Sequence, residues 1–105
     1  MRLEAFVIAT GLLIGHSALA GDVTVSQKDK AFSTKEVHLK AGDRVVFMNE
    51  DSVTHNVYSL TKGHEFEIKT QPPGKSDAIQ FSRPGVALVE CAIHPKMKVK
   101  VHVDN

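Results

Sequence analysis

The sequence predicts an all-β sandwich of seven to eight short strands. Three observations carry that reading. From Val23 onward apolar residues recur with a period of two. No stretch holds the 3.6-residue period of a helix for long. Turn signals built from Gly, Pro, Asn and Asp cut the chain at intervals of about ten residues, the spacing of a sandwich or small barrel.

Each element follows from its own residues. VTVSQ (23–27) is a first strand. KEVHLK (35–40) sets Val37 and Leu39 on one face and Glu36, His38 and Lys40 on the other. The AGD turn leads into RVVFMN (44–49), apolar on both faces and therefore a central strand, with Met48 expected in the core. NEDSVT is a polar loop, and HNVYSL (55–60) a strand rich in β-formers. EFEIKT (65–70) places Phe66 and Ile68 on a shared face, and QPPGK turns into DAIQF (77–81). In SRPG, Pro84 presets φ for a turn before VALVEC (86–91). MKVKVHV (97–103) closes the fold, with Met97, Val99, Val101 and Val103 on one face and Lys98, Lys100 and His102 on the other.

The N-terminal residues 1–20 read differently. Arg2, an apolar run over 5–14 and Ala18-Leu19-Ala20 form the basic, apolar and small-residue regions of a secretory signal. The apolar run is too short to span a bilayer, which needs roughly 20 residues. The expected mature domain is 21–105, exported to the periplasm, with no membrane span after removal of the signal. Lys and Arg number 13 against 12 Asp and Glu, so the chain lacks the basic excess of a nucleic-acid binder. The single cysteine, Cys91, excludes an internal disulfide; in an exported protein such a thiol is buried, reactive, intermolecular or metal-bound.

Cys91-x-x-His94-x-x-Met97 packs three metal donors into seven residues. Copper cycling between Cu(I) and Cu(II) needs a compromise of soft and borderline donors, and two His with one Cys plus a weak axial Met make a blue-copper electron-transfer site. An extended strand would throw Cys91 and His94 onto opposite faces, so a tight loop is required. Pro95 supports one by restricting His94. A second His must come from elsewhere. His38 and His102 alternate with charged residues and read as solvated, His64 sits in a turn and reads as either solvent-exposed or supporting a ligand from behind, the first being favoured, and His55 opens a strand directly after a polar loop. Met97 reads either as a ligand or as core, since it continues the valine face of the last strand.

FSTKEVHLKAGDRVVFMNEDSVTHNVYS (32–59) followed by PGVALVECAIHPKM (84–97) resembles the plastocyanin/azurin family of cupredoxins, with a ligand loop of amicyanin-like length. The resemblance implies a Greek-key sandwich and one copper ion, with His55, Cys91 and His94 as equatorial ligands and Met97 as the axial one. It also implies that Asn49 ties the two ligand loops together. Ile93 stands where amicyanin-like loops often carry Pro, and its retained N–H is expected to donate to the Cys91 sulfur. The function implied is a monomeric, non-enzymatic one-electron carrier between redox proteins, with Lys62, Lys96 and Lys98 favouring an acidic docking partner. The alternative is a copper chaperone or storage protein using the same ligands.

Overall fold

A computed structural model describes residues 20–105; residues 1–19, which hold nearly all of the expected signal, lie outside it. The strands are β1 (Asp22–Lys28), β2 (Ala31–Phe32), β3 (Glu36–Lys40), β4 (Arg44–Asn49), β5 (His55–Ser59), β6 (Phe66–Gln71), β7 (Ser76–Gln80), β8 (Gly85–Cys91) and β9 (Lys98–Asp104). They form two sheets, β2-β1-β4-β7 and β3-β9-β8-β5-β6. The chain passes between the sheets from β2 to β3, β3 to β4, β4 to β5, β6 to β7 and β7 to β8, the crossings of a Greek-key sandwich. Each sheet is mixed, because β1 pairs in parallel with β4 and β3 in parallel with β9.

The period-two pattern works as expected. Val45 and Phe47 of β4, Val57 of β5, Ala87 and Val89 of β8, and Val99, Val101 and Val103 of β9 meet between the sheets. Burying each such valine or phenylalanine side chain contributes on the order of 1.5–3 kcal/mol. β4 is central, as its two apolar faces predict. Met48 nevertheless leaves the core. Alternation gives the inner face of β4 to Val45, Phe47 and Asn49, so Met48 is half-buried on the outer face opposite Ser76.

β2 is the ninth strand, not anticipated from the sequence. Asp29 and Lys30, both with positive φ (53° and 59°), close a two-residue turn between Lys28 and Ala31. Primed turns suit the right-handed twist of a hairpin but favour Gly or Asn, so a Asp-Lys pair gives little signal.

Candidate metal centre

One end of the sandwich collects the predicted donors. β5 begins at His55 and β8 ends at Cys91, and the two strands pair with Val57 opposite Cys91. Strand alternation puts His55 on the buried face with Val57 and Ser59, and the pairing of β5 with β6 shifts register between His55 and Val57. His55 Nδ1 then lies 3.5 Å from Cys91 Sγ. Beyond Cys91 the chain leaves the sheet, and Met97 N–H donates to His94 O over 2.9 Å. The residues His94-Pro95-Lys96-Met97 thus close a β-turn with Pro in its preferred second position. The turn brings His94 back, with its ring 5.1 Å from that of His55.

One donor atom from each of His55, Cys91 and His94 lies within 4.8 Å of the others. His55 and Cys91 are buried and His94 is half-buried. His94 Nδ1 is itself buried and has no hydrogen-bond partner. An unpaired buried nitrogen costs about 1–3 kcal/mol, a cost that a bound cation removes. Met97 is 2% exposed, yet it stands outside the contiguous apolar cluster that its neighbour Val99 joins. Thiolate, two imidazoles and a thioether are the donor set that suits copper in both oxidation states.

His55 is oriented from behind. Its Nε2 lies 2.9 Å from Asp51 Oδ2. Asp51 also accepts from the Lys30 N–H at 2.8 Å and the Ser52 N–H at 2.9 Å. The Lys30 N–H, then the His55 ring, hold its carboxyl at about 2, against an ordinary 3.8. An ionised carboxylate can only accept, so the His55 proton sits on Nε2 and Nδ1 keeps a free lone pair toward Cys91. The unanticipated β1–β2 turn therefore supplies a backbone donor that braces, through Asp51, the candidate ligand His55.

A buried polar bridge lies beneath this loop. Gln27 of β1 donates to Gln71 Oε1 at 2.6 Å, joining the two sheets. Gln71 Nε2 donates to Phe47 O and Asp77 Oδ2. Asn49 spends its side-chain amide on Val53 O and Gln71 O, and its Oδ1 accepts from Asp51 N. Asn49 thus secures the loop before His55 to β6 and does not reach the Cys91–Met97 turn, contrary to expectation. Both amide protons are consumed on the near side. The described hydrogen bonds also include none from the Ile93 N–H to Cys91 Sγ, whose polar neighbour is His55.

Sequence reasoning missed Asp51, Gln71 and Gln27. For Asp51 the available signal was a carboxylate four residues before a candidate ligand at a loop end. Among the described residues, the other histidines stand apart from this group. His64 is half-buried rather than exposed, because its Nε2 bonds Arg83 O at 2.9 Å and its ring lies where a side chain on Gly85 would stand. His38 and His102 stack on each other on the outer sheet face.

The sequence profile of the copper binding proteins of the plastocyanin/azurin family matches residues 19–104. Amicyanin-alpha of Methylorubrum extorquens is 32% identical over 111 residues, covering 97% of this chain and 92% of its own. The structure of a reduced amicyanin variant superposes with a TM-score of 0.74 at 25% identity, covering 84% of this chain and 88% of that one. The Cu-containing nitrite reductase of Thermus scotoductus superposes at 0.74 with 26% identity over 80% of this chain, which spans only 22% of the reductase chain. Copper is the cofactor, and the chain belongs to the plastocyanin/azurin family of copper-binding proteins.

Proposed function

We propose that the protein is a periplasmic one-electron carrier in which His55, Cys91, His94 and Met97 would hold copper as a type 1 site. Bound there, copper supplies a one-electron Cu(I)/Cu(II) couple. The observation that carries the reading is the convergence of three donors within 4.8 Å at one end of the sheet, one of them an unpaired buried nitrogen. The chain's own residues hold the donors still. Asp51 fixes the His55 tautomer, the Pro95 turn fixes His94, and the Val-lined sandwich excludes water from the Cys91 sulfur. A site that changes little between oxidation states suits electron transfer better than the metal exchange of a chaperone or store. With Met97 as a fourth donor no open position would remain for a substrate, which favours a carrier over an enzyme.

His94 is the ligand nearest solvent and the natural route for the electron. Ile93 beside it is 54% exposed, and Pro95 is exposed. Lys35, Lys96, Lys98 and Lys100 line one shallow groove with Glu36 and Leu88. These features favour a redox partner that meets an apolar patch and carries acidic residues toward the lysines. Export by residues 1–20 and a monomeric state complete the proposal.

The test is the visible spectrum of the oxidised, copper-loaded protein. An intense blue thiolate-to-copper band is expected, and Cys91→Ser should erase it. Bound copper without that band would transfer the reading to storage or delivery.

A further inference from the structure

A second group of ligating side chains lies on the outer face of the five-stranded sheet. β3 and β9 run in parallel, with His38 opposite His102 and Glu36 opposite Lys100. Val37 and Leu39 point into the core from β3, as do Val101 and Val103 from β9. Strand alternation therefore forces Glu36, His38 and His102 outward together. The two imidazoles stack with centroids 4.4 Å apart and planes 10° from parallel. His102 Nε2 lies 2.7 Å from Glu36 Oε1. One donor atom from each of the three residues lies within 4.8 Å of the others.

The donors select the ion. Two imidazole nitrogens and one carboxylate oxygen suit Zn(II) or Cu(II); Mg(II) and Ca(II) prefer oxygen alone, and Cu(I) prefers sulfur. Around zinc at about 2.1 Å, tetrahedral donors stand about 3.4 Å apart. The cluster must therefore tighten on its longer edges and open slightly between His102 and Glu36. His38 and Glu36 are exposed and free to rotate, while half-buried His102 is the anchor. The ion would replace the hydrogen bond between His102 and Glu36. Lys100 is the cation facing Glu36, and being exposed it can turn to solvent. His102 stands five residues beyond Met97 along β9, about 16 Å at 3.3 Å per residue, so this cluster is separate from the copper donors.

We propose that Glu36, His38 and His102 form a second, surface site for a borderline divalent cation of the zinc type. Three protein donors leave the fourth position to water. The ion clamps β3, an edge strand, onto β9, and binding to the folded state alone stabilises the sandwich by mass action.

The test is calorimetric titration of the copper-loaded full chain with Zn(II) in a non-chelating buffer. One further equivalent is expected, with the copper absorption unchanged and Tm rising with the logarithm of the zinc concentration. His38→Gln and His102→Gln should each weaken that equivalent at least ten-fold, whereas His64→Gln should leave it intact; unchanged copper absorption shows that each variant is folded. Cu(II) should displace the zinc, as the order of divalent affinities requires. No additional equivalent, equal binding by the His38 and His102 variants, or zinc that Cu(II) does not displace would overturn the proposal.

Discussion

The two donor clusters have the same arithmetic and opposite physics. His55, Cys91 and His94 offer three donors within 4.8 Å, as do Glu36, His38 and His102. In the first, burial removes water, His94 Nδ1 lacks any partner, and Asp51 holds the remaining edge of His55. In the second, the side chains face solvent and satisfy one another through a hydrogen bond and a stack. A buried set pays for its arrangement during folding and waits for an ion. An exposed set can rearrange, so it should bind more weakly and release more readily. Preorganisation, rather than donor count, separates the candidate copper centre from the proposed surface site.

The comparison breaks most visibly at Asp51. Asp51→Ala should weaken copper binding 10–100-fold by freeing the His55 ring, as loss of such an outer partner typically does. Glu36→Ala should leave copper affinity unchanged. Competition against a chelator measures both, and equal losses would erase the distinction between the clusters.

A smaller effect is expected beneath the copper end. Gln71→Leu removes the side-chain partner of Gln27, of the Phe47 carbonyl and of Asp77, and should cost about 1–3 kcal/mol in urea unfolding of the copper-free protein. His102→Gln, on the open face, should stay within about 0.5 kcal/mol without added metal.

Acid should separate the two regions as well. The Asp51 carboxyl titrates near 2 when folded, below its ordinary 3.8, chiefly through the Lys30 N–H and then His55. A depressed folded value means that its stabilisation is complete above about 3.8 and drains away as pH falls toward 2. Asp22, paired with Arg44, and Asp43, which accepts from Gly21 N–H and Lys40 N–H, are lowered too and act in the same direction. Thermal melts of copper-free protein between pH 5 and 2 should therefore show a falling Tm whose slope Asp51→Asn reduces but does not abolish. An unchanged slope would remove Asp51 from the account.

The smallest expected effect is kinetic. Lys96→Ala with Lys98→Ala should slow electron transfer to an acidic partner severalfold at low salt and scarcely at all at high salt. Stopped-flow rates across ionic strength would show it, and a salt-independent rate would discard the lysine face.

Strands were legible where one face is buried, because alternation writes that face into the residue order. Val99, Val101 and Val103 are the plain case. Met48 misled because hydrophobicity does not say which side of a central strand faces the partner sheet. The Cys91–Met97 segment was legible because donors so close in sequence must turn to meet, and Pro95 makes the turn. Asp51 was hidden inside a stretch that looks like any polar loop. His38 and His102 looked like isolated solvated residues because strands 64 positions apart had yet to be laid side by side in parallel.

Local order in the chain by itself determined the β class, the inner faces of most strands and the tight loop of Cys91, His94 and Met97. Each depends on periodicity or on neighbours within a few bonds. Only the tertiary structure decided that Asp51 would hold His55, that Gln27 would reach Gln71 across the sandwich, and that β3 would dock beside β9 with its histidines in register. Those contacts join residues brought together by packing the two sheets, and side-chain alternation carries no record of which strand will lie alongside.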